Sequence, residues 1–450
     1  MAPIRQQSAN EASTPEKPQI RLKLLTHNLK WGIMKSAMGR LSRNGGIETI
    51  LLSGAIVWLG ISMSWSQSIT WLGVPPGGTQ SWATGVSADG AVVVGGALVA
   101  GHYRAFRWTT SNGMQDLGTL GGEDAIATEV SADGLVVVGM ALNALEQWRA
   151  FHWTPARGMQ DLGTLGGYES SAFAVSSDGF VVVGWSANEQ QYHRAIRWSA
   201  ETGMQNLGTL GGDTSWAYGT SADGSVVVGF TFEANGRQTA FRWSATTGMQ
   251  PLGTLGGNFS TAEAVSADGS VVTGWASTAE AGRYHAFRWT ASTGMQDLGT
   301  LGGRWARAIA ISADGSIIVG ESHDAANQYR AFRWTLTGGM EDLNQTYACL
   351  LTDGSVLQEA DALSPDGRYI AGRGFNATTG RYEAFLLDTS CTPHNGDVNL
   401  DGAVDDVDLL HILFAFGNTG NCLGRTDVDC NGEVDETDLL MVLFNFGSGG

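Results

Sequence analysis

Two acidic stretches near the C-terminus carry oxygen side chains at a spacing that does chemistry. Residues 397–408 read DVNLDGAVDDVD and residues 427–438 read DVDCNGEVDETD. In each, oxygen ligands fall at loop positions 1, 3, 5, 9 and 12, with glycine at position 6. Calcium is a hard cation that takes roughly six to eight oxygens, and this spacing wraps a loop around one ion. The first set is Asp397, Asn399, Asp401 and Asp408, with the backbone of Ala403 and a water-mediated Asp405. The second is Asp427, Asp429, Asn431 and Asp438, with the backbone of Glu433 and Asp435. Two bound Ca²⁺ ions are therefore expected. Gly402 and Gly432 supply the sharp turns, and each loop runs into an amphipathic stretch, Leu409–Phe416 and Leu439–Phe446, stopped by Gly417 and Gly447.

Other chemistry-bearing residues point elsewhere. The eight histidines include no His-Glu-x-x-His pair. Leu-Gly-Thr-Leu-Gly-Gly, as at Leu162–Gly167, lacks the following Lys-Ser/Thr of a phosphate cradle and reads as a turn. No residue stands out as catalytic.

What must position everything else is a repeat. A turn aspartate recurs at Asp89, Asp133, Asp178, Asp223, Asp268, Asp314 and Asp366, at spacings of 44, 45, 45, 45, 46 and 52 residues. A fixed period of this size marks a repeat architecture. Each unit holds four strand-like runs; in the third these are Ser171–Val175, Phe180–Gly184, Arg194–Trp198 and Met204–Leu207. Four short antiparallel strands per repeat make the blade of a β-propeller. The fold class is therefore mainly β, a seven-bladed propeller over residues 67–390, followed by a small α domain over 391–450. The fourth-strand motif Gly-Met-(Gln/Glu)-x-Leu occurs six times, at Gly113, Gly158, Gly203, Gly248, Gly294 and Gly339. The missing seventh copy stands at the front, as Ile69–Gly73, which is expected to complete the last blade and close the ring, removing a sheet edge.

Because a motif repeated seven times is scaffold, a ligand face is sought where the copies differ. The variable turns between blades hold Trp82, Glu123, Tyr168, Asp213, Trp216, Asn258, Phe259 and Trp305, with Glu169 and Arg304. The turns between second and third strands add Tyr103, Trp148, Tyr192, His193, Tyr284, His285 and Tyr329. Aromatics with scattered polar groups suit a glycan or a protein.

Charge and targeting set the compartment. The net charge is −18, which argues against nucleic acid, because phosphate binding needs clustered Lys and Arg. Ile50–Ile61 is apolar, follows Arg40 and Arg43 and precedes small residues, the pattern of a signal peptide ending a leader over 1–66. Membrane attachment arises only if that leader stays uncleaved. Four cysteines, Cys349, Cys391, Cys422 and Cys430, fit an exported chain with two disulfides in any of three pairings.

The Arg/His-Ala-Phe-Arg-Trp runs (Arg104–Trp108, His285–Trp289, Arg330–Trp334), with Leu-Gly-Thr-Leu-Gly-Gly, resemble the HAF family of extracellular repeats. The resemblance implies export and no established activity. The two acidic half-hands, about 30 residues apart, resemble the type I dockerin module. That module implies a cohesin-like or cell-surface partner. Loop positions 10 and 11, Asp406-Val407 and Glu436-Thr437, depart from the Ser-Thr type common in clostridial dockerins. The expected function is a secreted, non-catalytic binding or display protein. The alternative is a dockerin-bearing carbohydrate-active enzyme, a glycoside hydrolase of polysaccharide catabolism. Two or three unrepeated carboxylates clustered in the central funnel would favour the alternative.

Overall fold

The computed structural model describes residues 67–390, 395–399, 401–419 and 423–448. The leader, its signal segment, Cys391 and Cys422 lie outside the described residues. From Ser68 to Asp388 the chain is almost wholly antiparallel β, built as successive four-stranded units. Four of these are separate four-stranded sheets. Three more join into a twelve-stranded sheet through single parallel bridges, Gln238↔Phe259 and Tyr284↔Trp305.

In each unit the first strand is innermost, and these inner strands are Gly78–Val86, Gly121–Val130, Gly166–Val175, Gly211–Thr220, Gly256–Val265, Gly302–Ile311 and Val356–Leu363. Each packs on the next, and the last packs on the first, so the arrangement closes and is propeller-like. The third strands fill the space between units. Phe106, Phe151, Phe241, Phe287, Phe332 and Phe385 have no accessible surface, each contributing about 2–3 kcal/mol of apolar burial.

The Ser-x-Asp-Gly turns hold themselves and one another. Ser87 Oγ donates to Asp89 Oδ1 at 2.7 Å, which also accepts from Ala91 N at 3.0 Å. The residue before each Asp then donates its N–H to the same place in the next unit. Ala88 donates to Ala132, Ala132 to Ser177, Ser177 to Ala222, Ala222 to Ala267, Ala267 to Ala313, and Ala313 to Pro365. The belt stops there, because proline has no N–H to pass on.

The joint between last and first units is made by the N-terminal strand. Ser68–Gly73 pairs antiparallel with Arg381–Asp388, Ile69 facing Leu387 and Trp71 facing Phe385. Ser81 shows that this strand replaces a fourth strand. Its Oγ accepts from Ala384 N at 2.9 Å and donates to Gly73 O at 2.6 Å. Ser170 does the same within the ring, with Ala150 N and Gly163 O. The long 52-residue spacing has its own cause: the Gly-rich turn is replaced by a helical turn, Leu343–Thr346, and a 3₁₀ turn, Ala348–Leu350, around the buried Tyr347.

Two helices, Asp406–Ala415 and Glu436–Phe444, form the C-terminal region over their own core of Val404, Ile412, Val428, Val434, Leu439 and Val442.

Candidate functional sites

The tail is a duplicated loop and helix, and the copies are cross-linked. Val404 of the first loop exchanges backbone hydrogen bonds with Gly447 and Ser448 after the second helix. Val434 of the second loop does so with Gly417 and Asn418 after the first. Asp405 and Asp435 each cap a helix in a capping box with Asp408 and Asp438. Those two position-12 aspartates are fully buried. Asp408 Oδ1 accepts from Val398 N and Asn399 N at 2.7 and 3.0 Å, and Asp438 Oδ1 accepts from Val428 N and Asp429 N.

Asp427, Asp429 and Asp438 bring their carboxylate oxygens within 4.8 Å of one another, a group that could hold a metal ion. Burial raises the Asp427 carboxyl, and the neighbouring Asp438 and Asp429 add to it. In the first loop Asp397 Oδ1 is buried and has no hydrogen-bond partner. An orphaned acceptor among oxygen donors fits a hard cation. Asn399 Oδ1 accepts from Asp401 N, Asn431 Oδ1 from Glu433 N, and Asp401 Oδ1 from Ala403 N. Each helix also exposes apolar residues. Phe414 is 83% and Phe444 84% exposed, with Val407, Leu410, Leu440 and Leu443 beside them.

The eight rim candidates lie on the inner strands, not on the turns where the sequence reading put them. The turn ends sooner because Thr119 and its equivalents close it: Thr119 Oγ1 donates to Gly122 O at 2.8 Å. Gly121, at a φ of 108°, already starts the strand. Some candidates come together. Trp216 stacks on Trp185 at 5.3 Å and donates from Nε1 to His193 Nδ1 at 3.2 Å. Phe259 and Trp305 both contact Trp275, at 4.6 and 6.4 Å, and Trp82 meets Tyr103 edge-on at 5.9 Å. Glu123 pairs with His102 at 3.2 Å. Tyr168, Asp213 and Asn258 stay exposed and join none of these ring clusters.

A different constellation lines the central cavity, of about 350 Å³. Every inner strand breaks register twice, once near its start and again by a single residue, between Ala83/Gly85, Ala127/Glu129, Ala172/Ala174, Ala217/Gly219, Ala262/Ala264, Ala308/Ala310 and Ala360/Ala362. Bulges re-aim side chains. The bulged residues Thr84, Thr128, Phe173, Tyr218, Glu263, Ile309 and Asp361 all line the cavity, with Glu129 and Arg307. Arg307 Nε donates to Glu263 Oε1 at 2.9 Å and its Nη1 lies 3.8 Å from Glu321. Trp275 Nε1 donates to the same Glu263 oxygen at 2.9 Å. The Glu263 carboxylate raises Arg307 further.

The carboxylates outnumber their cations, and their acidities show it. Burial pushes Glu129 up to about 7. Burial, with Glu359 adding, pushes Asp361 up to about 7. Glu321 rises to about 8 through burial, then through Asp361 and Glu359. Burial also raises Tyr218. None of these positions was singled out from the sequence. The available signal was a variable residue after an alanine and, in six copies of seven, before a second small residue, recurring at the repeat spacing.

Cys349 and Cys430 are both disulfide-bonded, and no described cysteine is free.

No family model matches the chain, and no curated protein matches it. Among solved structures it is similar to an oligogalacturonate lyase from Vibrio parahaemolyticus, at 12% identity and a TM-score of 0.47, over 72% of this chain and 96% of that one. An oligogalacturonate lyase in complex with manganese gives 13% and 0.47, over 72% and 95%. TolB from Acinetobacter baumannii gives 13% and 0.40, over 64% and 77%.

Proposed function

We propose that the protein is secreted and non-catalytic, a seven-bladed β-propeller displayed through a calcium-dependent, dockerin-like C-terminal module. The observation that carries this reading is the tail's duplication: two acidic loops of calcium spacing, each leading into a helix with a phenylalanine more than four-fifths exposed. Paired exposed apolar faces on a small domain mark a protein partner. The partner is cohesin-like or a cell-surface protein, and the propeller rim serves a glycan or protein ligand.

Calorimetric titration of the full chain with CaCl₂ tests this reading. Two calcium equivalents are expected, falling to one in Asp427→Asn. Retention on an immobilised cohesin is expected with calcium, and loss with chelator or in the double variant Phe414→Ser, Phe444→Ser. A full chain that takes up no calcium overturns the reading.

The second reading, a carbohydrate-active enzyme, is favoured by one observation: Glu129, Glu263 and Asp361 line the cavity, with Glu321 beside Arg307, carboxylates that the other repeats lack at those places. Release of reducing ends from a polysaccharide, abolished by Asp361→Asn, would replace the first reading with this one.

A further inference from the structure

We infer that the central cavity is a binding site for a small organic ammonium ion, held between Asp361 and Glu129 with its apolar part against Phe173 and Tyr218. This goes beyond the rim and tail described above and does not depend on either.

The argument begins with charge pairing. Arg307 is committed to Glu263 at 2.9 Å and faces Glu321 at 3.8 Å. Arg373 lies 4.0 Å from Glu359 and 5.2 Å from the centre of the Tyr382 ring. Arg307 is therefore engaged, while Arg373 reaches Glu359 only at that distance and leaves its Nε without a hydrogen-bond partner. Among the described residues, Asp361 has neither an ion pair nor a hydrogen bond. Glu129 has only the backbone N–H of Val130, at 2.9 Å. Two carboxylates thus line the cavity with no salt-bridge partner of their own, Arg307 and Arg373 acting on Asp361 only from a distance, an arrangement that a ligand cation improves.

Their placement selects the kind of cation. Asp361 and Glu129 belong to the units on either side of the first, whose own bulged residue is the small Thr84. The gap at Thr84 leaves room for a headgroup between them. The third and fourth units bring Phe173 and Tyr218, with ring centres 5.0 Å apart. Aromatic faces attract ammonium groups and cover apolar carbon. A bare metal ion fits less well. Among the described residues, the carboxylates whose oxygens gather within 4.8 Å are Asp427, Asp429 and Asp438, all in the tail. The cavity carboxylates are spread more widely, as a molecular cation requires. A volume of about 350 Å³ suits a small ligand.

Benzylamine, charged at neutral pH, and benzyl alcohol, its neutral counterpart of the same shape, separate charge from burial. Calorimetric titration of the full calcium-loaded chain is expected to show benzylammonium binding at least about tenfold tighter than benzyl alcohol. Asp361→Asn and Glu129→Gln should each weaken the amine about tenfold or more and leave the alcohol unchanged. These near-isosteric variants keep the bulge, and unchanged circular dichroism checks that they fold. Affinity should rise from pH 6 to 8 as the two carboxyls lose their protons. The groups facing them, Glu263, Glu321, Glu359, Arg307, Arg373 and Tyr218, set the background charge. Equal binding of amine and alcohol, no binding of the amine, or a neutral trisaccharide such as maltotriose binding more tightly than the amine would each overturn the inference.

Discussion

A carboxyl that is easier to protonate in the folded chain than in the unfolded one makes stability fall as pH rises. Glu129 and Asp361 lie near 7 when folded, against about 4 in an open chain. Between those values the folded state holds more protons than the unfolded state. Their contribution is complete below about pH 4 and is lost as pH climbs through 7. Replacing either with its amide removes that dependence. Glu129→Gln and Asp361→Asn are expected to melt several degrees higher than the parent at pH 8.5, by about 1–3 kcal/mol, and alike at pH 4.5. Equal gains at both pH values would show that desolvation of the charge is not the cause. Asp89, Asp133, Asp223, Asp268 and Asp314, held down by hydrogen bonds within their turns, act in the opposite sense. Ser266 and the amide and hydroxyl of Ser270 hold Asp268 down to about 2, so its contribution is lost only in strong acid.

Among the elements, the strand Ser68–Gly73 does the work of a segment more than three hundred residues away. Deleting it would expose the edge of Arg381–Asp388 and take away Gly73 O, the acceptor of the Ser81 hydroxyl. A lower melting point and aggregation of the deleted chain are the expected results, since an open β edge templates further pairing. Ser81→Ala isolates the joint itself. It should cost about 1–3 kcal/mol by leaving Ala384 N unsatisfied in a buried place, read from denaturant midpoints at constant slope. This joint was legible in the sequence, because six copies of Gly-Met-(Gln/Glu)-x-Leu against seven turns demand a substitute. The duplicated acidic loops of the tail and the helices they lead into were legible for a similar reason: their spacing is local. The cavity was not. Arg307 and Glu263 sit one repeat apart, and only aligning the copies column by column shows that one column varies freely, holding Thr, Phe, Tyr and Ile as well as the acids Glu263 and Asp361. Nor does a strand pattern reveal a bulge, since one extra residue changes which way a side chain points without changing composition.

For the molecule as a whole, two regions with separate cores should answer calcium differently. The β region is held by apolar burial and the turn belt, which need no ion. The tail gathers eleven acidic residues against one arginine over 391–450, and under the proposed calcium reading neutralising them would couple its folding to metal. Scanning calorimetry of the full chain is expected to show two transitions. Chelator should lower the smaller one markedly and leave the larger within a degree or so. Calcium at a hundred times its dissociation constant would add about 2.7 kcal/mol to the tail. A larger transition that moved equally would show that the ring also depends on calcium.

The proline that ends the belt has a consequence for assembly. A ribbon of repeats whose last turn still offered an N–H could offer it to the first turn of another copy, and then to another, growing as a filament. Pro365 gives such a ribbon nothing to hand on. The final repeat is finished instead along its other edge, by the chain's own first strand, Ser68–Gly73.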